Sequence, residues 1–472
     1  MNIVSDIIGQ LWNGIEWFIN RMMMLYYDIE VCFSRNIDIN TLFRVYWYLF
    51  LIEFPRYYLL ETIVGVWYKL TSHRRQNLEK HARMVLFSEN PLVSILIPGR
   101  NEGKNIYKLT LSLREQTYSN YEIIIVDDGS DDSTPYICRD LEKNGYIDRY
   151  VRLNERGGKA GAANMGAYFA RGKYVIHLDS DSSLDRDALE NILLPFYMGK
   201  NVKAVGGCIK VRNTDASICT SLQALEYLKT IMVGRMVVDR LGIYHIISGA
   251  FGAFERETLL RVGMWDIGPG LDGDITQKIR KAGYKIAFAN RAICMTNVPV
   301  TWYKLYRQRL RWSRSLVRFR IRKHRDILLP NRNWSFLNWM SNMESIIYDC
   351  VFNYMWLFYV ITLIFDYTDR LLEILVIGWI IRFFFALLAF GIIMLVTERR
   401  REEFKLIKYL PISTFYSGYF LRITRIIGYT TEFFFFNSFK DSWNPRKTSV
   451  WAQAEEWRGL KKFLKNNRVQ ST

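Results

Sequence analysis

The sequence predicts an α/β domain with a mostly parallel sheet, embedded between N-terminal and C-terminal membrane and interfacial helices. Residues 92–97, 122–126 and Tyr174–Leu178 are apolar runs of strand length, and each ends in polar or turn residues. Residues 105–116 and 133–144, which lie between these runs, have helical patterns. Alternating strands and helices are typical of a parallel sheet, whose strand-end loops meet at one edge. We therefore expect a ligand site at that edge.

Length and composition argue against a single small soluble domain. The chain has 472 residues, of which 50% are hydrophobic and 15% aromatic, and its net charge is +18. So large a basic excess is typical of proteins that contact nucleic acid, an anionic membrane face or phosphorylated substrates. The six cysteines are scattered, without a Cys-x-x-Cys pair. This favours free thiols in a reducing compartment over disulfides or a zinc site.

The first 70 residues predict a membrane-associated start to the chain. Residues 1–40 are expected to form an amphipathic lead-in, without a cleavable signal peptide. Residues 41–70 are long enough to span a bilayer, although charged residues and a proline interrupt them. A transmembrane helix is therefore favoured there over an interfacial one. The basic cluster at 73–83 places the following domain, residues 71–300, in the cytoplasm by the positive-inside rule.

Beyond residue 300 the pattern changes from alternating strands and helices to basic and apolar helices. Residues 301–340 are predicted to form basic interfacial helices, and residues 341–396 two transmembrane helices joined by a short turn. Residues 397–436 are predicted to form a cytoplasmic loop and an interfacial helix. A further span in that segment would export the basic tail at 437–472, so the tail is expected in the cytoplasm.

Two aspartates one residue apart, Asp179 and Asp181, directly follow the apolar strand Tyr174–Leu178. Carboxylates at the edge of a sheet can bind Mg²⁺ or Mn²⁺ together with the phosphates of a substrate. Aspartate and serine are also ordinary turn residues, so a plain turn is the alternative interpretation. Taken alone, the motif does not decide between a metal site and a turn.

Two further clusters favour a nucleotide site at the same edge. Asp127 and Asp128 end the preceding strand, where carboxylates can accept hydrogen bonds from a nucleobase or a ribose. Lys159 lies among glycines and alanines, which allow the backbone to approach a diphosphate while the lysine supplies positive charge. The alternatives are an Asp-Gly turn for the first cluster and a flexible glycine loop for the second.

A pair of aspartates farther along the chain contains a candidate general base. Asp272 and Asp274 stand just before a helical pattern that begins near residue 275. Either carboxylate is a candidate to take a proton from an acceptor hydroxyl. The alternative is that the two carboxylates only cap the helix, because negative charge is favoured at a helix N-terminus.

A basic helix with an aromatic residue follows this pair. Gln308 shares one helical face with Arg311 and Trp312, which are three and four residues away. The arginine can stabilise a departing diphosphate, and the indole can stack on a sugar ring. Residues 304–325 carry ten Lys and Arg and no acid. A solvated basic helix or a nucleic-acid contact is therefore the alternative.

In their order and spacing, these motifs resemble those of the processive family 2 glycosyltransferases. Members of that family are the membrane synthases of cellulose, chitin, hyaluronan and poly-N-acetylglucosamine. The matching residues are the paired and spaced aspartates, the candidate base and the Gln-x-x-Arg-Trp motif, namely Asp127, Asp128, Asp179, Asp181, Asp272, Gln308, Arg311 and Trp312. The likeness is close over residues 90–320 and loose over the membrane segments. It implies a GT-A catalytic domain at residues 71–300 and an inverting transfer from a UDP-sugar.

The resemblance implies a donor side and an acceptor side of the site. Donor binding falls to Asp127, Asp128, Lys159, Asp179, Asp181, Gln308 and Arg311. Within that set, Asp179 and Asp181 would hold Mg²⁺ or Mn²⁺, and Arg311 would also act in catalysis by steadying the leaving UDP. Asp272 would be the catalytic base. Acceptor binding falls to Trp312, Ser248, Gly249 and Phe251.

The segment 270–272 departs from the family pattern, and the segment 442–447 provides one further match to it. The usual Thr-Glu-Asp is Gly-Leu-Asp at 270–272, which keeps the base but leaves Asp274 as a competitor, and Asp272 is favoured. The segment 442–447 resembles the gating loop of hyaluronan synthases. Trp443 and Arg446 are therefore candidates to close over the nucleotide. A structural tail is the alternative for this segment.

The sequence therefore predicts a multi-pass membrane enzyme that polymerises a β-linked polysaccharide from a UDP-sugar on the cytoplasmic side of the cell membrane. The same helices would pass the polymer across that membrane. The expected partners are the UDP-sugar, the growing glycan, the lipid bilayer and accessory or export subunits, with no nucleic acid. A non-processive glycosyltransferase that adds one sugar to a lipid-linked or short acceptor is one alternative. A basic membrane-tethered binding protein without catalysis is another.

Overall fold

The computed structural model describes residues 39–329, 334–441 and 444–470, together with the single positions Glu16, Asn20 and Met23. The predictions for most of residues 1–40 and for Trp443 lie outside the described residues. The five described cysteines are buried and free of disulfides, at positions Cys138, Cys208, Cys219, Cys294 and Cys350.

One eight-stranded sheet forms the centre of the protein. Its strands are β1 (Val93–Gly99), β2 (Tyr121–Asp127), β3 (Arg149–Arg152), β4 (Tyr174–Leu178), β5 (Ser183–Leu184), β6 (Val202–Val211), β7 (Phe251–Glu255) and β8 (Lys285–Thr296). They are arranged in the order β3-β2-β1-β4-β7-β6-β8-β5. The pairs β1–β2, β2–β3, β1–β4 and β6–β8 are parallel, whereas β7 and β5 run antiparallel to their neighbours. The predicted mostly parallel α/β sheet is confirmed.

Helices lie on the sheet and continue beyond it at both ends of the described chain. The α-helices are α1 (Ile39–Tyr48), α2 (Leu60–Leu70), α3 (Ser72–Glu89), α4 (Gly103–Arg114), α5 (Thr134–Lys143), α6 (Gly158–Phe169), α7 (Ala188–Met198), α8 (Ile218–Tyr227), α9 (Gly234–Arg240), α10 (Arg256–Arg261), α11 (Leu271–Lys281), α12 (Trp302–Leu316), α13 (Phe336–Ser345), α14 (Phe352–Asp366), α15 (Leu371–Val396), α16 (Arg400–Phe404), α17 (Leu410–Phe415), α18 (Leu421–Phe435) and α19 (Arg446–Gln470). Several are joined by wide π-helical turns, namely Leu49–Glu53, Pro55–Leu59, Leu228–Val233, Val317–Lys323, Ile346–Val351 and Tyr416–Phe420. The short 3₁₀ turns are Thr214–Ala216, Arg325–Leu328, Thr368–Arg370, Lys405–Tyr409 and Asn437–Lys440.

The core forms where apolar strands meet small residues on a helix. The residues from Val93 to Ile97 in β1 are fully buried, as the continuous apolar run predicts for a central parallel strand. Helix α6 lies over β1 and β2, and its glycines and alanines allow close contact. A Cβ at Gly166 would lie 3.3 Å from side-chain atoms of both Leu96 and Val126. The glycine-rich stretch after residue 157 is therefore the start of a packed helix rather than a flexible loop.

Two helices are long and apolar enough to cross a membrane. Within the described residues, Phe336–Asp366 and Thr368–Val396 meet this test, which considers length and composition only. They correspond to the two spans expected within 341–396, except that the first begins earlier. Residues 39–70 are also helical, with two wide turns. They contain too many charged residues to count as a candidate span. A membrane crossing by residues 41–70 stays a prediction.

The C-terminal part of the chain is more ordered than the sequence suggests. Helices α17 and α18 and the wide turn between them cover most of the segment expected to lie in the membrane interface, and α18 packs along α12. The expected tail contains α19, a helix of 25 residues. Glu456 of α19 binds Arg318 and Arg322, which follow α12, with both N–O distances at 3.0 Å.

Candidate active site

The candidate site lies at the edge of the sheet where β1, β2 and β4 end. The first two strands end side by side, because Gly99 pairs with Asp127. The amide of Asp128 donates to the carbonyl oxygen of Gly99 at 2.9 Å, so the next residue is held at the same edge. Strand β4 runs parallel to β1 and ends one residue before Asp179. The structure thus brings the two sequence-predicted aspartate motifs to one edge of the sheet.

The carboxylates of Asp127 and Asp128 make hydrogen bonds within the protein. Asp128 Oδ1 accepts from the amides of Gly157 and Gly158, at 2.6 and 3.1 Å. Asp127 Oδ2 accepts from the hydroxyl of Tyr150 at 2.9 Å. Burial raises the pKa of Asp128, although the hydrogen bonds from the two glycine amides oppose the shift. These contacts join the end of β2 to the N-terminus of α6, and a role in holding uridine stays a prediction.

Lys159 forms an ion pair with Asp179, whose Oδ1 lies 2.5 Å from the lysine Nζ. Burial lowers the pKa of Lys159, but the charges of Asp179 and Asp272 outweigh it, so the pKa is raised. Burial, together with the charges of Asp179 and Glu102, raises the pKa of Asp181 to about 6. The cluster therefore contains two neighbouring carboxylates, those of Asp179 and Asp181, and one lysine. The resulting local excess of negative charge attracts cations.

The chemistry of this cluster fits a divalent ion that a substrate helps to hold. Within the described part of the chain, no three His, Cys, Asp or Glu side chains come together as a complete metal site. Asp179 and Asp181 supply two carboxylates, and Mg²⁺ in proteins is commonly held by one or two carboxylates together with substrate phosphates. Burial and the neighbouring acidic charges disfavour the charged form of Asp181, and a nearby cation would offset that cost.

Asp272 has one engaged and one unengaged carboxylate oxygen. It lies in the first turn of α11, after Gly270, whose φ of 81° is in the left-handed region. The amide of Gly249 donates to Asp272 Oδ2 at 2.9 Å. Asp272 Oδ1 is buried and accepts no hydrogen bond from the described residues. Burial raises the pKa of Asp272, and the charge of Lys159 opposes the shift. An unpartnered carboxylate oxygen of raised basicity is suited to accept a proton.

Asp274, the competing candidate, is fully engaged inside the protein. Its side chain is 1% exposed. One oxygen lies 2.7 Å from His324 Nε2, and the other accepts from Lys323 Nζ at 2.8 Å. Burial would raise the pKa of Asp274, but the hydrogen bond from His324 and the charge of Lys323 hold it well below its usual range. These contacts favour Asp272 over Asp274 as the base.

Helix α12 brings the Gln-x-x-Arg-Trp motif to the same site. The charge of Arg311 lowers the pKa of both Lys159 and Asp272, so its guanidinium lies within electrostatic range of both groups. Trp312 is 41% exposed, as a platform for a ligand must be. Gln308 Oε1 accepts a hydrogen bond from the neighbouring Arg309 at 2.9 Å. Arg311 and Asp272 thus stand beside the lysine–aspartate pair at the end of the sheet.

Besides Trp312, the other three residues predicted on the acceptor side have different environments. Gly249 contacts Asp272 through its amide, and a Cβ at this position would lie 2.4 Å from Asp272 Oδ1. Ser248 Oγ accepts a hydrogen bond from the Ala250 amide at 3.4 Å. Phe251 begins β7 and is fully buried in the core. Its burial does not favour a direct contact with an acceptor, so that assignment stays a prediction for Phe251.

His177 also belongs to this site, although it stands in none of the sequence motifs described above. Its Nδ1 lies 2.5 Å from the carbonyl oxygen of Gly249, which links β4 to the backbone that holds Asp272. Burial and the charge of Lys159 lower the pKa of His177 to about 4, so the ring is neutral near pH 7. The sequence could have identified His177 by its spacing. Residues two apart on a strand share a face, and His177 precedes Asp179 by two.

The segment proposed as a gating loop approaches the start of α6. A Cβ at Gly158 would lie 3.2 Å from Pro445 Cδ and 3.4 Å from Asn444 Oδ1. Lys447 Nζ lies 3.4 Å from a carboxylate oxygen of Glu155, in an exposed ion pair. Arg446 is the first residue of α19. The described part of this segment therefore lies against Gly158, one of the two glycines whose amides bind Asp128.

Comparison with known proteins defines the class of this domain. Residues 94–260 match the profile of glycosyl transferase family 2. These residues are therefore a glycosyl transferase family 2 domain. This confirms the resemblance that the ordered motifs indicate.

Among named proteins, the chain is similar to poly-β-1,6-N-acetyl-D-glucosamine synthases. It is 32% identical over 273 residues to the enzyme of Staphylococcus aureus (strain COL), a match that covers 56% of this chain and 64% of that protein. The synthase of Staphylococcus epidermidis (strain ATCC 35984) is 34% identical over 228 residues, which are 47% of this chain and 53% of that protein. The matches thus span less than two thirds of these relatives.

Solved structures give more distant likenesses. A mannosyltransferase from Pyrobaculum calidifontis, in complex with GDP-Man and Mn²⁺, is 21% identical, with a TM-score of 0.49. That alignment covers 76% of this chain and 99% of the mannosyltransferase.

Proposed function

We propose that the chain is an inverting, processive glycosyltransferase that polymerises a β-linked polysaccharide from a UDP-sugar. The observation that carries the proposal is the position of Asp272 beside the Lys159–Asp179 ion pair and Arg311. A candidate base and three groups suited to a nucleoside diphosphate thus occupy one site. The similarity to poly-β-1,6-N-acetyl-D-glucosamine synthases supports polymer synthesis.

On the donor side, Asp179 and Asp181 would bind Mg²⁺ or Mn²⁺ together with the diphosphate of the UDP-sugar. The ion would supply positive charge where negative charge develops on the leaving UDP. Lys159 and Arg311 carry positive charge into the same region, and the planar guanidinium can donate two hydrogen bonds to one phosphate. Asp127 and Asp128, at the end of β2, would face the nucleoside.

On the acceptor side, Asp272 would remove the proton of the attacking hydroxyl. The acceptor oxygen forms a bond to the anomeric carbon as the bond from that carbon to UDP breaks, and the proton passes to Asp272 Oδ1. Burial raises the pKa of this carboxyl, which makes it a stronger base when it is charged. Trp312 would form the floor under the acceptor sugar, because aromatic rings stack on the apolar face of a sugar.

For the whole molecule, we propose seven segments. These are a lead-in (1–40), an N-terminal helix (41–70), the catalytic domain (71–300), basic interfacial helices (301–340), two spans (341–396), a cytoplasmic loop with an interfacial helix (397–436) and a tail with the candidate gating residues Trp443 and Arg446 (437–472). The catalytic domain would lie on the cytoplasmic face of the cell membrane, and the helices would pass the glycan across it. The candidate spans Phe336–Asp366 and Thr368–Val396 support this arrangement.

The first experiment is a donor screen with the purified protein in detergent or nanodiscs. UDP-N-acetylglucosamine is the first donor to test, because similar proteins are named for that sugar. We expect UDP release that depends on Mg²⁺ or Mn²⁺ and a product that sizing shows to be a polymer. The absence of UDP release with every UDP-sugar tested would favour the non-catalytic binding protein.

Product size separates the proposal from a non-processive transferase, which would use the same residues. Single-sugar adducts on a lipid-linked or short acceptor, with no longer product, would rule out a synthase. A second test addresses the base directly. We expect Asp272→Asn to abolish transfer, and we expect Asp274→Asn to lower stability first, because Asp274 binds His324 and Lys323. Full transfer by Asp272→Asn would overturn the assignment of the base.

A further inference from the structure

Arg309 lies inside the Gln-x-x-Arg-Trp motif and contacts both of its ends. Its Nη1 donates to Gln308 Oε1 at 2.9 Å. Its guanidinium carbon lies 4.1 Å from the centre of the Trp312 ring, within the range of a cation–π contact. The side chain of Arg309 is only 6% exposed, so it is packed inside the protein.

A carboxylate from another helix fixes the position of this guanidinium. Arg309 Nη2 lies 2.7 Å from Glu226 Oε2, which belongs to α8. The same oxygen accepts a hydrogen bond from the hydroxyl of Tyr416 at 2.5 Å, and Tyr416 stands at the start of the wide turn between α17 and α18. Although burial lowers the pKa of Arg309, the charge of Glu226 outweighs it, so the pKa is raised. The guanidinium is therefore a fixed, charged plane.

We propose that Arg309 is a positioning residue for the acceptor platform. It holds the Trp312 ring in the orientation that binds the terminal sugar of the glycan, and it also fixes the amide of Gln308, a predicted donor-binding residue, while Glu226 and Tyr416 hold Arg309. This inference rests on the proposed function, in which Trp312 contacts the acceptor. The contacts require the shape of arginine, because a planar fork can stack on an indole while it donates to a carboxylate and an amide. A lysine ammonium cannot make all of these contacts at once.

The position of Tyr416 gives the network a second consequence. The wide turn Tyr416–Phe420 follows the helices that are proposed to meet the membrane. Glu226 thus joins three parts of the chain, namely α8, the motif helix α12 and the C-terminal helices. A displacement of the C-terminal helices would therefore move the Trp312 ring, because Tyr416 binds Glu226, Glu226 binds Arg309, and Arg309 packs on that ring.

The test is Arg309→Lys, which keeps the charge and removes the planar fork. We expect the affinity for a β-1,6-linked N-acetylglucosamine pentamer to fall about tenfold, which corresponds to about 1.4 kcal/mol of binding free energy. UDP affinity in the presence of Mn²⁺ should stay within about twofold of wild type, because Arg309 reaches the predicted donor-binding residues only through its one hydrogen bond to Gln308. In steady-state assays, KM for the acceptor should rise while KM for the donor is unchanged.

Glu226→Gln is the second variant, because it keeps the shape and the hydrogen bond from Tyr416 but leaves the charge of Arg309 uncompensated. The same selective loss of pentamer binding is expected. The matched control is Arg314→Lys on the same helix, since Arg314 donates to Thr431 at 3.2 Å and carries no proposed role in the site. This control should bind both ligands like wild type.

The outcomes separate the inference from the proposed function. If wild type binds the pentamer and Arg309→Lys binds it equally well, the positioning role is wrong while the proposed function stands. If Arg309→Lys loses UDP and pentamer binding in parallel, with an unchanged melting temperature, the role in acceptor positioning is also wrong. If wild type binds UDP but not the pentamer, the proposed acceptor is wrong and the inference falls with it.

Discussion

Gly249 is the residue on which the position of Asp272 depends most directly. Its amide binds one carboxylate oxygen, and a Cβ would lie 2.4 Å from the other. Real Cβ atoms do not approach so closely, so Gly249→Ala must displace the carboxylate. Misplacement by about 1 Å can lower catalysis roughly 100-fold. We expect a loss of that order in kcat for UDP release, with a melting temperature close to that of wild type.

The control for this variant is Gly391→Ala. Gly391 lies within α15, and no atom stands within 4 Å of a Cβ placed there. Alanine is favoured over glycine inside a helix by roughly 0.5–1 kcal/mol, so stability should be unchanged or slightly raised and activity retained. Equal activity of Gly249→Ala and Gly391→Ala would contradict the proposed position of the base.

The Asp274–His324 pair predicts a response to acid. Burial lowers the pKa of His324 more than its contact with Asp274 raises it. The unfolded chain binds a proton on this histidine at its ordinary pKa of about 6.5, whereas the folded chain binds it only at lower pH. Native stability is therefore full above about pH 6.5 and falls as the pH drops toward the folded pKa. Each unit of difference contributes about 1.4 kcal/mol.

Thermal unfolding at several pH values would measure this contribution. The melting temperature of wild type should fall more steeply between pH 7.5 and 5.5 than that of His324→Asn, which can still donate a hydrogen bond to Asp274 but does not titrate. Asp274 itself has a lowered pKa, so its contribution is lost only at more acidic pH, as the pH falls toward its folded pKa. Parallel curves for the two proteins would contradict a neutral His324 in the folded state.

At the scale of single residues, motif spacing could identify candidates but not their partners. The sequence selects Asp179, Asp272 and Trp312, because each stands in a motif with a recognisable order. It could not give the contacts of these residues, since Glu226 binds Arg309 across 83 positions and Gly249 binds Asp272 across 23. Such contacts depend on how the elements pack, which no local pattern encodes.

Helix α19 connects the two sides of the site, although the sequence suggested a tail. Near its start, Pro445 and Asn444 lie against Gly158. About two turns further, Ala452 Cβ would be 3.1 Å from a Cβ at Gly268, close to the helix that carries Asp272. Glu456 anchors this helix to Arg318 and Arg322. The C-terminal helix and the two residues before it therefore contact both the start of α6 and the segment that leads to the candidate base.

Glu456→Gln tests this connection. It would leave the buried Arg318 without its carboxylate partner, and hydrogen bonds to charged groups contribute roughly 1.5–3 kcal/mol. We expect α19 to detach more often from Arg318 and Arg322. Amide hydrogen exchange should then rise in α19 and in residues 268–272, and UDP release should slow. Glu455→Gln is the matched control, because Glu455 is exposed on the same helix. Unchanged exchange in residues 268–272 would argue against the connection.

The elements that the sequence predicts are those with strong local patterns. Strands β1, β2 and β4 are continuous apolar runs, and the structure contains them within two residues of the expected bounds. β3 and β7 have weak patterns, since β3 begins and ends with arginine and β7 contains glycine and alanine. They become strands because neighbouring strands pair with them, and tertiary pairing of this kind overrides local propensity.

At the scale of the whole molecule, the two candidate spans predict a topology. The short turn between them, Thr368–Arg370, should lie on the opposite side of the membrane from the catalytic domain. In a cysteine-depleted background, Asp369→Cys should react with a membrane-impermeant maleimide in intact cells. Glu257→Cys, on an exposed position of α10, should react only after the membrane is opened. Equal labelling of both positions in intact cells would contradict the proposed arrangement.

In the proposed site, the ion pair between Lys159 and Asp179 would link the binding of donor and metal thermodynamically. While Asp179 binds the lysine, a divalent ion must compete for the same carboxylate. A diphosphate offers Lys159 another partner and so releases Asp179 for the ion. Each ligand therefore raises the affinity for the other, and by the same factor, as linkage requires. A metal dissociation constant measured without the donor would thus be larger than the one that applies during turnover.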